Sequence, residues 1–329
     1  MNLRRRPMVR NISVLLFLWA HCLVGGRSSF VDIENFSKRY HLKMIQRVNT
    51  DEIYLKNEKH TLLLSAKTKE AFVDNTKVFL TYPINMDTTT HRKHKTAAIF
   101  SRKSYTVAQI DIDKILLPVL FPNKTLSKTV KTIVIDPGHG GKAEGTQNKQ
   151  LKIKEKDLTL KTAKLLAEKL KRLGYVVHLT RNQDVDLPLE QRSKFANQKK
   201  ADLFLSLHYN SAPAAQAQGI ETFAYSFHGH PSTDGNCKND KLASINKFDG
   251  ANTCLAWQIQ RKLCADLRAN DRGVRRGRMV VLADLNCPGA LIECGFLSHK
   301  TEASRIKTET YLRALVNAIA NAIQCFKNS

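Results

Sequence analysis

From about residue 30 to 122 the chain alternates short apolar runs with polar turns: IYLKN from Ile53, HTLLLSA from His60, KVFLTYP from Lys77 and SYTVAQI from Ser104. Side chains of a strand point alternately to opposite faces, so runs of this length and period predict half-buried strands and a small β-rich accessory domain over 27–122. The polar residues 123–130 then read as a linker. Beyond residue 131 the pattern changes. Residues 132–135 form a strand-like apolar run, while Ala163, Leu166, Leu170 and Leu173 recur at helical spacing across 157–173 and stop at Gly174.

The alternation continues to the end of the sequence. Strands are expected at 175–179, 203–207, 220–225, 279–282 and 290–293, with helices at 189–197, 255–269 and 311–323. Strands that alternate with helices predict an α/β fold whose mainly parallel sheet is flanked by helices on both faces. A catalytic domain over 131–329 follows from this reading. Residues 226–252 break the pattern with Gly, Asn, Asp and Ser, and are expected to form a long loop that shapes the substrate as a lid.

Three global features narrow the setting. Residues 1–26 carry Arg4 to Arg6, then an apolar run of about 12 residues, then Gly25 and Gly26, the layout of a secretory signal peptide. That run is shorter than the roughly 20 residues that span a bilayer, so an exported protein without a stable transmembrane span after cleavage is expected. Export permits disulfides, and Cys237 with Cys254 would staple the Gly- and Asn-rich loop. The formal charge of +24 favours polyanionic surroundings. Basic residues are spread along the chain without a helix-turn-helix, RNA-recognition or zinc-finger pattern, so nucleic acid is not the expected partner. The anionic cell envelope, periplasmic or extracellular, fits both charge and export, and the chain is expected to work as a monomer.

In a parallel sheet ligands gather at the carboxyl ends of the strands. That rule selects His139 after the first strand, His208 after the third and Glu293 at the last, to which Glu155 at the start of the first long helix is added. Taken singly, each has a plain structural explanation: a turn histidine, a histidine beside the core, a first-turn helix acid. Together, two imidazoles and two carboxylates have the composition of a catalytic zinc site, in which three ligands leave one position for water. Glu155 suits the ligand role because a helix N-terminus favours the ionised carboxylate, which leaves Glu293 as general acid and base. Tyr209 and Asn210, next to His208, are candidates for contact with substrate, and Tyr209 equally for packing.

The blocks IVIDPGHGG, KEKDLTL, ADLFLSLHYNSA, GIETF and ALIECGFLS, with LTR, PLEQR and DRGV between them in order, resemble the zinc-dependent N-acetylmuramoyl-L-alanine amidases over about residues 131–326. The resemblance implies Zn2+ as cofactor, His139, Glu155 and His208 as its ligands, and Glu293 as the catalytic acid and base. It also implies peptidoglycan as substrate, cut between the lactyl group of N-acetylmuramic acid and L-alanine. Some relatives need an activator protein to remove an occluding helix, which makes an activator a possible partner. KAEG at 142–145 and Tyr209 depart from the family's usual KDPG and small residue, away from the expected ligands. In the accessory region, KVFLTYPI and SYTVAQIDIDKILLPVLFP are similar to copper amine oxidase N-terminal-like modules, which implies a stalk or wall-contacting role.

Two other readings compete: a thiol hydrolase built on Cys294 and His208, and a wall-binding protein that keeps the fold without the activity. Strand alternation opposes the first, because Cys294 faces away from the site if Glu293 faces into it. His228 and His230 form an HxH pair in the loop, and are expected to be solvated residues.

Overall fold

The computed structural model describes residues 29–47, 50–92, 99–122, 130–233, 235 and 247–329. The signal peptide, most of the linker and Cys237 with its expected partnership lie outside the described residues, as does much of the expected lid. Cys254 itself is buried and carries a free thiol.

One 11-stranded sheet organises the molecule. Its parallel core comprises β9 (Thr132–Pro137), β12 (Val176–Leu179), β13 (Leu203–Asn210) and β16 (Gly289–Phe296), arranged β12-β9-β13-β16. Next to β16 lies β14 (Ile220–Tyr225), running antiparallel to it and parallel to β15 (Asp271–Gly277). The helices α4 (Glu155–Arg172), α6 (Asp249–Leu267) and α9 (Glu309–Lys327) pack on one face. The shorter α5 (Leu189–Gln198) and α7 (Val280–Ala283) pack on the other. This is the expected helix-flanked α/β arrangement, and the reason is visible in β13. Leu203, Leu205 and Leu207 bury themselves under one layer while Phe204 enters the other, so the strand is apolar on both sides.

The accessory strands follow a different rule. β3 (Glu52–Lys56), β4 (Thr61–Ser65), β5 (Glu70–Val73) and β6 (Thr76–Phe79) each bury only alternate residues, among them Ile53, Leu55, Leu62, Leu64, Val73 and Val78. With β2 (Lys43–Gln46) they form an antiparallel meander. β1 (Phe30–Asp32), β7 (Asn85–Arg92) and β8 (Ile99–Ala108) make a separate 3-stranded sheet. The meander continues the catalytic sheet, because β6 pairs parallel to β15 at Val78 and Val274, both fully buried. α1 (Ile33–Arg39) packs on β1, β2 and β8, and α2 (Gln109–Asp111) leads through a wide turn at Ile112–Leu116 into α3 (Leu117–Leu120), where the turn and α3 pack against α6. The shared core of the two halves is one cluster, running from Ile33 to Phe326.

One expected strand is a helix. Residues 279–282 lead into α7, and the strand before β16 is instead DRGVRRG in β15. A short apolar run such as VVL has no period that separates strand from helix. The Arg- and Gly-rich β15 is held as a strand by its pairing on both edges, with β14 and β6. α6 also starts at Asp249, earlier than expected, within the turn-rich segment. The remaining elements are the hairpin β10 (Gln147–Asn148) with β11 (Ile153–Lys154), and α8 (Lys300–Ile306).

Candidate metal centre and active site

The site begins with a buried ion pair beneath the loop that follows β9. Asp136 is fully buried, and its carboxylate accepts hydrogen bonds from Arg192 at 2.9 Å, Ser206 at 2.8 Å and Thr180 at 2.5 Å. Arg192 also donates to the carbonyls of Pro137 and His139, and Arg181 to those of Pro137, Gly138 and Lys156. Two guanidiniums thus tie together the end of β9, the loop after it and the start of α4 through their backbone carbonyls. The loop so held turns His139 into a left-handed conformation, φ 61°. At Gly138 a side chain has no room, since a Cβ would stand 2.5 Å from His208 Nε2.

Glu155 is the first residue of α4 and almost fully buried, where the free N–H groups and dipole of a helix start favour a negative charge. Its Oε1 lies 3.1 Å from His139 Nε2 and 3.0 Å from His208 Nδ1, and accepts from the Tyr209 amide at 3.0 Å. Its Oε2 accepts from the Thr146 amide at 2.8 Å. Burial alone would raise this carboxyl's pKa; the hydrogen bonds and charge interactions with His139 and His208 outweigh it and hold the group well below the usual carboxylate range. One ligand atom from each of His139, Glu155 and His208 lies within 4.8 Å of the others, a group that can hold a metal ion. The sequence therefore named the members of this cluster from three separate stretches.

Glu293 stands in the next strand. β13 and β16 pair His208 with Glu293, and β16 and β14 pair Glu293 with Glu221. Cross-strand partners share a face, so His208, Glu293 and Glu221 form one row across the sheet. The Oε2 of Glu293 is buried without a hydrogen-bond partner. Burial, reinforced by the charges of Glu155 and Glu221, pushes its pKa well above that of an ordinary carboxyl. Two carboxylates within one site are thus driven in opposite directions by their surroundings.

A family model described as N-acetylmuramoyl-L-alanine amidase matches residues 133–325. The chain belongs to that family. The chain is similar to the probable cell wall amidase LytH of Staphylococcus aureus, 32% identical over 197 residues, 60% of this chain and 58% of LytH. The solved N-acetylmuramoyl-L-alanine amidase of Clostridium difficile 630 is 32% identical with a TM-score of 0.52, and the likeness covers 61% of this chain and 99% of that one. The CwlD amidase of Clostridioides difficile, solved in complex with the GerS lipoprotein, is 30% identical with a TM-score of 0.50, covering 60% and 98%. The chain is accordingly a peptidoglycan hydrolase of the amidase class.

The two expected substrate contacts fare differently within this amidase fold. Tyr209 is 1% exposed and its hydroxyl lies 2.8 Å from Thr162 of α4, on the face opposite His208, so it packs and does not reach substrate. A strand reverses its side chains at every residue, and the neighbour of His208 therefore points away. Asn210, beyond a register shift, is half-buried, and its amide donates to Glu221 Oε1 at 2.7 Å. His228 is exposed, while His230 contacts Tyr82 at 3.2 Å. Glu221 was not singled out in the sequence, although a carboxylate inside the apolar run GIETF is the signal that marks it. Its Oε2 is bound by Arg272 at 3.1 Å and paired with Arg275 at 3.0 Å.

Proposed function

We propose that the chain binds a zinc ion through His139, Glu155 and His208, and hydrolyses the amide between the lactyl group of N-acetylmuramic acid and the L-alanine of the stem peptide. Two imidazoles and one carboxylate are the donor set of a catalytic zinc, and three donors leave a position free. When bound, zinc supplies a Lewis acid that polarises the scissile carbonyl and acidifies water. The observation that carries the reading is the unpartnered, buried Oε2 of Glu293, in register beside His208.

Glu293 takes the proton of the attacking water and returns it to the nitrogen of the departing L-alanine. Its desolvated setting suits both steps, because a carboxyl with a raised pKa gives up a proton only to a stronger base such as the expelled amine. Glu155 stays ionised and holds both imidazoles, and the Tyr209 and Thr146 amides fix its two oxygens. The substrate lies outside the cytoplasm, which supports export, and no helix among the described residues is long and apolar enough to cross a membrane. A separate activator protein is part of this proposal by analogy with the complex of CwlD and GerS.

Cys294 supports no thiol mechanism. It is fully buried in the core on the far face of β16, and burial, with the charge of Glu293, raises its thiol pKa well above the ordinary value. The deciding experiment digests purified peptidoglycan with wild type and Glu293→Gln and reads the products by mass spectrometry. Free stem peptides with an L-alanine N-terminus are expected, at a rate ~10²–10⁴-fold lower in the variant. Cleavage only within glycan or between amino acids, or an unimpaired variant, overturns the proposal.

A further inference from the structure

The carboxylate of Glu221 is 5% exposed and is the lateral neighbour of Glu293, so where it points matters to the proton carrier. Asn210 holds its Oε1, and Arg272 and Arg275 share its Oε2. Each guanidinium is itself backed by an aromatic ring. Arg272 lies 4.6 Å from the ring centroid of Phe296, on the same strand as Glu293, and Arg275 lies 4.5 Å from that of Phe79. Phe79 belongs to β6, in the accessory unit, which falls outside the residues matched by the family model. One arm of the clamp on Glu221 is thus internal to the amidase domain. The other, Arg275, takes its ring from the N-terminal strands.

The contact is built into the backbone. Val78 and Val274 pair, which places Phe79 beside Arg275 and Lys77 beside Gly273. Gly273 has φ 91°, and a Cβ there would lie 3.0 Å from both Lys77 Cγ and Phe79 Cε2, so the glycine is what lets β6 approach. Asp271 accepts the Lys77 amide at 2.7 Å and fixes the start of the same pairing. On the other edge of β15, β14 carries Glu221 at the register shift between Ile220 and Thr222, which pair with Asp271 and Val274.

We infer that the accessory unit is an internal positioning element for the amidase site, with Phe79 acting through Arg275 to hold Glu221 away from the proton carrier. A guanidinium flanked by a ring face keeps its orientation and its charge partner, because the ring attracts the cation and excludes water. Without that support Arg275 is free to turn to solvent, and Glu221 retains a weaker clamp. A loosened third carboxylate then competes for the metal position or repels Glu293. Phe79 and Arg275 are positioning residues: they act through Glu221 on a site they do not enter.

This inference rests on the proposed amidase reaction, and its test separates the two. In the full-length protein, Phe79→Ala is expected to lower kcat ~3–10-fold with KM unchanged, the size of a partly desolvated cation–π contact. Phe79→Tyr, which keeps a ring face, restores the rate, whereas Phe79→Leu does not. In an Arg275→Ala background, Phe79→Ala is expected to change kcat by less than ~2-fold, since coupled residues do not contribute independently. Equal effects of Phe79→Ala in both backgrounds, or full rescue by leucine, overturn the inference.

A readout without activity is hydrogen exchange at the amides of Glu221 to Phe223. It is expected to quicken in Phe79→Ala and Arg275→Ala alike, and not in Phe72→Ala, which removes a ring from the same meander away from Arg275. Unchanged exchange in both positioning variants also overturns the inference. If wild type releases no stem peptides, the amidase proposal fails while the exchange measurement still decides the coupling.

Discussion

The parallel half of the sheet and its antiparallel extension use strands of similar length to opposite ends. β13 is buried on both faces and is apolar from Leu203 to Leu205, so its polar side chains, Ser206, His208 and Asn210, fall toward its carboxyl end. β3 to β5 bury every second residue and leave the others partly open, and they bring together no group of metal-binding side chains among the described residues. Polar side chains are tolerated all along such a strand and therefore gather nowhere. Convergence is a property of the two-sided half. The extension acts by contact at its seam with β15.

The comparison breaks most visibly if the support beneath the site is removed. Arg192→Met leaves the Asp136 carboxylate buried without its cation, with a cost of about 3–5 kcal/mol. Denaturant melting is expected to show that loss, and the folded fraction is expected to be inactive because the His139 carbonyl loses its donor. A stability loss under about 1 kcal/mol would mean that the loop is held by other groups.

Leu64→Ala in the meander removes a fully buried side chain and is expected to cost about 2–5 kcal/mol, with kcat per folded molecule within about twofold of wild type. The pair of variants separates stability from chemistry. A fall in kcat matching the fall in stability would place the meander's core in the catalytic machinery.

The finest test uses pH and contrasts Glu293 with Glu155 in metal-free protein. Glu293 has a raised folded pKa, so the native state binds the extra proton and its contribution to stability is present at low pH and lost as pH rises above the unfolded value near ~4.3. Glu155 has a lowered one, so its contribution is present above that value and lost as pH falls. Glu293→Gln is therefore expected to gain about 1–3 kcal/mol over wild type at pH 7 and little at pH 4. A gain that shrinks as pH rises would contradict the desolvated setting of Glu293.

Much of this was legible from residues alone. Helical spacing placed α4 to within a few residues, and turn residues after apolar runs placed His139 and His208 at strand ends. The less legible parts share a cause. Tyr209 looked like a candidate because it is adjacent to His208 in the chain, and the pleat sends it to the other face. β15 reads unlike a strand because six of its seven residues are Asp, Arg or Gly, and only its two neighbours make it one.

Local pattern and residue chemistry were enough to specify a helix-flanked sheet and the donor types of a metal centre, since period and ligand identity are written in consecutive residues. They could not specify that the N-terminal strands continue the catalytic sheet, that Glu221 stands beside Glu293, or that Phe79 backs the arginine holding it. Those relations join residues as much as about 200 positions apart, and strand order and register arise from long-range packing that no local period encodes.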